Sequence, residues 1–303
     1  MADVRNGAAS IPDISIVIVS YNTVGMLRDC LRSIPEAVTP YTYELFVVDN
    51  NSQDGSAEMV SAEFPEVTLI ANKSNPGFAG ANNQALEDAR GRHMLLLNPD
   101  TEAEPGSLSM LAQYLDTHPE VGAVGPKLLN TDGSLQRNGR SFPTPYREFL
   151  GHTNLRRYMR GSHGTDWEYG RTDFDVDAEV DSVTGACIMV PAAVMKAVGM
   201  LDDAFFMFYE EVEWCWRIKR YGKKIVYLAA SRVKHHWMGS VRQQSRQMTI
   251  RLFDSMLIYY RKTGTVKDRL AAHLVYIAGF ARNEYLHFGV AVKRLLRKAR
   301  LLR

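Results

Sequence analysis

LLLNPD, residues 95–100, decides how this chain is read. With Met94 it makes an apolar run too short for a helix and closed by Pro99, the pattern of a buried strand. The run ends in Asn98 and Asp100, two oxygen-bearing side chains one residue apart. Ligands of open α/β sheets collect at the carboxyl ends of strands. A carboxylate with an amide oxygen beside it suits a hard divalent cation carrying a diphosphate. Asn-Pro-Asp is also good turn chemistry, so on this stretch alone a plain turn stays open.

Working outward, ISIVIVS (14–20), YELFVV (43–48) and 67–71 are further strand candidates. The first is rich in β-branched apolar residues, as in parallel sheets covered on both faces. Between them lie helical patterns at Val24–Ile34, with Leu27, Leu31 and Ile34 on one face and a stop at Pro35, at Ala57–Glu63 and at Ala79–Ala89. Strand and helix alternate four times. That predicts an α/β fold with a Rossmann-like, doubly wound, mostly parallel sheet.

Parallel strands end together, so the exits Ser20-Tyr21-Asn22, Asp49 with Asn51, and Asn98 with Asp100 share one sheet edge. This placement predicts a nucleotide pocket. Asp49 can accept from a base or ribose, or simply make an Asx turn. Gly77 and Gly80 permit close backbone approach, and the helix starting there, which carries Asn82, can offer N–H groups to phosphate. Neither GxGxxG nor GxxxxGK[ST] occurs, which sets aside dinucleotide enzymes and Walker-type ATPases.

A helix at Gly106–Thr117 and a short strand at Val121–Pro126 precede residues 130–180, which read as one long irregular loop. Arg137, Arg140, Arg147, Arg156, Arg157 and Arg160 lie there, able to hold a phosphate or to form a solvated face. In Val180–Pro191, a kink at Gly185-Ala186 leaves room for an acceptor, or is plain packing. LDDAFFMFYEEVEWCWRIKR (201–220) sets Glu210, Glu211 and Glu213 among Phe205, Phe206, Phe208, Tyr209, Trp214 and Trp216. Poorly solvated carboxylates have raised pKa values, the range useful for a general base. Glu210 or Glu211 could equally favour the helix N-terminus, and Glu213 is spaced to pair with Arg217. A strand at Lys224–Leu228 leads to His235 and His236, and His235 at a strand exit can complete a metal shell begun at Asp100.

The 303 residues are 46% hydrophobic and 23% charged, ordinary for a globular chain with a sizeable core. A net charge of +2 gives no argument for nucleic acid. The charge is local instead: Lys293–Arg303 holds six basic residues and no acid. Three scattered cysteines without a CxxC pair point to a reducing compartment rather than a disulfide framework or zinc site. No run approaches the ~20 apolar residues of a spanning helix, and the N-terminus lacks a signal-peptide pattern. The expected location is the cytoplasm. Residues 1–12 read as a disordered lead.

Arg246–Lys262 reads as an amphipathic helix with Leu252, Met256, Tyr259 and Tyr260 on one side. Leu270–Val292 is apolar but interrupted by charge, and with KRLLRKARLLR after it suits an interfacial helix on an anionic membrane surface. A helix packed on the preceding domain, with its basic end in solvent or in a homodimer contact, is the alternative.

Taken together, VIVSYN (17–22), VVDNNSQDGS (47–56), NPGFAGANN (75–83), LLLNPD (95–100), TGACIMVP (184–191), FFMFYEEVEWCWR (205–217) and HHWMGS (235–240) resemble family 2 glycosyltransferases of the GT-A fold. The likeness is greatest to bacterial rhamnosyltransferases of lipid-linked surface glycans. The resemblance implies a catalytic domain over 13–240, with a nucleotide-sugar half (13–126) and an acceptor half (127–240), and a helical, basic extension over 241–303. It implies that Asp49 reads the base, that Asn98 and Asp100 stand at the metal-binding DxD motif, and that His235 helps hold a Mg2+ or Mn2+ ion and the diphosphate. Glu211 stands at the catalytic base, with Glu210 as the other choice, and Gly185, Ala186, Trp214, His236 and Arg140 are candidates for the acceptor or diphosphate. Two departures are plain: Asn98 replaces the first acid of DxD, and Glu replaces the usual Asp at 211. The implied donor is a dTDP- or UDP-sugar, dTDP-rhamnose first, and the acceptor a polyprenyl-linked or oligosaccharide glycan. A sugar-nucleotide pyrophosphorylase would carry a glycine-rich loop where this chain has SYNTVG. A non-catalytic scaffold would carry a damaged metal site, of which Asn98 is the one hint.

Overall fold

The computed structural model describes residues 11–153, 173–236 and 245–282. The first part alternates as expected: β1 (Ile14–Ser20), α1 (Val24–Val38), β2 (Tyr43–Asp49), α2 (Ser56–Glu63), β3 (Thr68–Ala71), α3 (Gly77–Asp88) and β4 (His93–Leu97). β3, β2, β1 and β4 lie side by side, all parallel. Every residue of β1 is buried, and its neighbours in sequence go to opposite faces. Ile14, Ile16 and Ile18 join one core, Val17 and Val19 the other. That two-sided burial is why the strands read as continuous apolar runs.

The second part is mixed. After β5 (Thr101–Ala103) and α4 (Ser107–Thr117) come β6 (Val121–Leu129), β7 (Leu135–Gln136), α5 (Pro145–Thr153), β8 (Ala178–Val180), β9 (Cys187–Pro191), α6 (Ala192–Val198), α7 (Glu210–Arg220) and β10 (Lys224–His235). The sheet continues from β4 through β9, β6, β10 and β5. β9 runs antiparallel to both β4 and β6, while β10 runs parallel to β6. The parallel arrangement therefore holds for the first half, and β9 is the strand that ends it.

Three local expectations are corrected. Pro35 does not stop α1 but sits inside it. The next turn buries Ala37 and Val38, and that burial offsets the missing N–H. β10 continues past Leu228 to His235, crossing an irregularity between Leu228 and Arg232 that a pattern search takes for an end. Residues 130–180 are not one irregular loop, since β7, α5 and β8 lie within them. Arg156, Arg157 and Arg160 fall outside the described residues.

α8 (Ser245–Thr263) and a further helix, α9 (266–282), follow. They build a third core in which Phe253, Met256, Tyr259, Tyr260, Ala272 and Val275 pack with Phe205 and Tyr209. Burying side chains of this size contributes about 1.5–3 kcal/mol each, so the helices are held firmly against the segment leading into α7. The outer face of α9 is a different surface: Val266, Leu270, Leu274 and Ile277 are each 64–69% exposed. Among the described residues no helix is long and apolar enough to cross a membrane. Trp237–Ser240 and the basic stretch Lys293–Arg303 lie outside the described residues, as do the first ten.

Candidate active site

The exits of β1 and β2 are laced together. Asn22, left-handed at φ 55°, accepts from the Gln53 N–H through its side-chain oxygen (2.7 Å) and donates its own N–H to Ser52 Oγ (2.9 Å). Asp54 accepts from the N–H groups of Val24 (2.8 Å) and Ser56 (3.1 Å). Asn50 joins the next loop, its amide donating to Asn75 Oδ1 (3.2 Å) and to the Gly77 carbonyl (3.3 Å) while accepting from Asn72 (3.1 Å). Asparagine recurs here because one side chain both donates and accepts. Asp49 ends β2 at 3% exposure; its Oδ2 accepts from the Ser52 N–H (2.9 Å), while Oδ1 is buried without a hydrogen bond. An orphaned carboxylate oxygen at a strand exit suits a ligand N–H donor.

A cavity of about 500 Å3 opens at this edge, lined by Tyr21, Asn50, Asn98, Asp100, His235, Glu210 and Glu211 among others. At one side stands the cation-suited group. His235 Nε2 lies 3.3 Å from Asp100 Oδ1 and 3.5 Å from the Asn98 amide. His235 Nδ1 faces Gln136 Oε1 at 2.6 Å. An amide oxygen only accepts, so Nδ1 carries a proton, and in the neutral ring Nε2 is left free to accept. A histidine oriented in this way by a second partner is the usual arrangement of a metal ligand. No cluster of three His, Cys, Asp or Glu side chains exists among the described residues. What exists is one imidazole and one carboxylate, with the Asn98 side-chain amide beside them, its nitrogen the end nearer His235, a weak but chemically sound set for Mn2+ or Mg2+ with water and phosphate completing the shell.

Across the cavity stand Glu210 and Glu211 at the start of α7. Phe208 and Tyr209 just before them are both left-handed, at φ 72° and 68°. Two bulky residues held there cost about 1–2 kcal/mol each. Burial pushes the Glu210 carboxyl well above the usual range, with Glu211 adding to it, and its Oε2 makes no hydrogen bond. Burial also raises Glu211, partly countered by the Arg140 guanidinium and nearby backbone N–H groups. A second cavity of about 250 Å3 adjoins, lined by α5, α7 and Leu252 of α8, and Glu211, Arg140 and Phe208 border both. Glu213, by contrast, is tied to Arg217 at 2.9 Å, the pairing its spacing predicts.

Several sequence-derived candidates are elsewhere. Trp214 is fully buried with its indole N–H on the Gly199 carbonyl (2.8 Å), so it is core. His236 pairs with Glu102 at 2.6 Å and does not line the cavity. Asn82 is buried and donates to the Phe78 carbonyl (2.8 Å), because it lies on the inner face of α3. Ser20 bonds Thr23 (2.9 Å), and Asn22 and Asn51 serve or sit on the loop rather than the cavity wall. Gly77 is glycine because Phe206 passes against it; the Phe78 N–H is taken by the Phe206 carbonyl (2.7 Å) and the Gly77 N–H by Asn75 (2.9 Å). Those two N–H groups are therefore not offered to a phosphate. Gly185 and Ala186 do line the larger cavity, as does Arg140. Sequence reasoning missed Asn50, Gln136, and the α8 residues Gln247, Met248 and Arg251, all but Gln136 lining the larger cavity.

Comparisons with known proteins assign the family and the fold. The family model described as glycosyl transferase family 2 matches residues 15–175, more than half the chain. An N-acetylglucosaminyl-diphospho-decaprenol L-rhamnosyltransferase of Mycobacterium tuberculosis is 27% identical over 233 residues, covering 73% of this chain and 75% of the relative. The low-salt glycan biosynthesis hexosyltransferase Agl10 of Haloferax volcanii is 26% identical, covering 69% of this chain and 62% of that one. Among solved structures, a mannosyltransferase of Pyrobaculum calidifontis in complex with GDP-Man and Mn2+ superposes with a TM-score of 0.55 at 15% identity, covering 94% of this chain and 81% of its own. S. aureus TarS 1–349 gives 0.53 at 14% identity, covering 89% and 70%. These neighbours share the GT-A fold, and with the family match they make this chain a member of glycosyl transferase family 2.

Proposed function

We propose that the chain is an inverting sugar transferase that takes a pyrimidine nucleoside-diphosphate sugar, dTDP-rhamnose in first place, and passes the sugar to a hydroxyl of a lipid-linked glycan. A UDP-hexose donor is the alternative within the same chemistry. The observation that carries the reading is the position of Glu211, the acid common to two adjoining cavities. The larger takes the donor, and Asp49, at the same strand edge but outside the cavity lining, would meet the base. The smaller takes the acceptor.

Asp100 and His235, with Asn98 beside them, are the residues that would hold a divalent cation. Such an ion neutralises charge on the departing diphosphate. Glu211 accepts the proton of the acceptor hydroxyl, whose oxygen attacks the anomeric carbon from the face opposite the diphosphate. The carbon–oxygen bond to the diphosphate breaks and the configuration inverts. One carboxylate suffices, and burial makes Glu211 a stronger base than a solvated glutamate. Glu210, deeper and more strongly raised, stays protonated beside it.

The bare apolar stripe of α9 supports a place on the cytoplasmic membrane face, where a polyprenyl acceptor would be met.

Thermal stability scanned with Mn2+ against dTDP-rhamnose, UDP-glucose, UDP-galactose and GDP-mannose tests the donor. A ligand at a hundred times its Kd stabilises by about 2.7 kcal/mol. Protection by one pyrimidine sugar nucleotide is expected, lost in Asp100→Ala and kept in Glu211→Gln, which should abolish transfer. Protection by none of them would overturn the donor site.

A further inference from the structure

α8 belongs to the extension beyond the glycosyltransferase motifs, yet Gln247, Met248 and Arg251 present one helical face to the larger cavity. Arg251 is the unusual member. Its guanidinium carbon stands over the Phe206 ring, 3.4 Å from the centroid. Among the described residues no carboxylate is paired with it, and its one titratable neighbour of note is the phenol of Tyr21. Burial costs this cation, since water is partly removed and no anion replaces it. Beside Arg140 and His235, the cavity holds the carboxylates of Asp100 and Glu211, with Glu210 kept neutral by burial. A polyanionic ligand entering there needs cations. With Asn98 in place of an acid, a bound ion is also held by one carboxylate fewer.

We infer that Arg251 is a donor-binding residue that meets the diphosphate of the nucleotide sugar. The inference rests on the donor-site reading above. Stacking fixes the plane of the guanidinium, so its edge N–H groups stay directed outward in a fork that matches two phosphate oxygens. Phe206 is itself pinned by its carbonyl on the Phe78 N–H (2.7 Å). The fork is thus positioned before the ligand arrives. During transfer the same contact stabilises the charge that collects on the leaving diphosphate.

The test is calorimetric titration of the full chain with dTDP and with UDP, with Mn2+ and in EDTA, at low and at high salt. Arg251→Met keeps an apolar side chain on Phe206 and removes the charge. It is expected to weaken the preferred diphosphate by about 10- to 100-fold at low salt, the range for a hydrogen-bonded charge, and to flatten the salt dependence. Arg251→Lys should recover part of the loss. Unchanged affinity in Arg251→Met overturns the inference. So does a loss with the full wild-type salt dependence, because that marks a packing defect. If the wild type binds neither diphosphate, the donor-site reading itself falls and takes this assignment with it.

Discussion

Gly77 and Gly80 look equivalent in the sequence, and the structure separates them. Gly77 has φ +88°, and a Cβ built there would stand 2.9 Å from the Phe206 Cα and closer still to the Phe206 carbonyl oxygen. Ordinary contact begins at 3.4 Å, so in Gly77→Ala the Phe206 carbonyl, the nearest group, must withdraw by ~1 Å. The left-handed backbone costs an alanine about 1–2 kcal/mol. Losing the bond from the Phe78 N–H costs about 1 kcal/mol more. The expected destabilisation is about 2–4 kcal/mol, a fall in Tm of roughly 5–10 °C. Gly80 lies inside α3 with φ in the ordinary range, and a Cβ there would only touch Pro76 at 3.4 Å. Gly80→Ala should be neutral or stabilising by up to about 1 kcal/mol, since glycine is a poor helix residue. Urea unfolding of both variants checks the pair. Because Phe206 leads into the strained turn before Glu210, Gly77→Ala should also weaken nucleotide protection, and Gly80→Ala should not. Equal stability of the two variants would refute the packing argument.

Glu210→Gln should leave stability unchanged in acid and raise it as pH rises. The buried carboxyl is raised, so below the ordinary glutamate range, about pH 4.3, it is protonated in both states. Above that range the unfolded chain ionises first, and wild-type stability is lost as pH climbs toward the raised folded value. A urea midpoint for Glu210→Gln no higher than wild type at pH 8 would count against it. Gln136→Leu removes the partner of His235 Nδ1 at 2.6 Å and should weaken Mn2+ binding by about 10- to 100-fold, read by titration with Mn2+ and nucleotide. An unchanged affinity would remove His235 from the metal site. Leu270→Glu with Leu274→Glu should cut co-sedimentation with anionic vesicles at least about tenfold while leaving donor protection intact. Unimpaired sedimentation would move the membrane contact elsewhere.

The parallel half was legible because strands buried on both faces leave continuous apolar runs: all of β1 and β4 are buried. The convergence of Tyr21, Asn98, Asp100 and the 210–211 acids was legible because parallel strands end together and because acids among aromatics are unusual. What sequence could not show is what depends on distant contact. Gln136 meets His235 only because β7, two residues long, pairs with the end of β6. Asn82 and Trp214 carry polar groups in stretches full of functional residues, yet each donates to a nearby carbonyl, and a hydrogen bond of that kind leaves no mark in composition. Gly77 was noticed for the right freedom and the wrong neighbour, since its close approach is to Phe206 rather than a ligand.

The wall contributed by α8 bears on the order in which the protein becomes competent during synthesis. β1, β2 and β4 leave the ribosome early, and the strand exits with them. Gln247, Met248 and Arg251, which close the larger cavity, and the Phe253, Met256 and Tyr259 side chains that seat the 205–209 segment, come much later. A growing chain therefore carries Asp49 and Asp100 for a long interval, and Glu210 and Glu211 for a shorter one, in a groove that α8 has yet to close. If Arg251 meets the diphosphate, nucleotide capture is deferred until α8 docks, and a half-made chain folds its sheet before it can take hold of a donor.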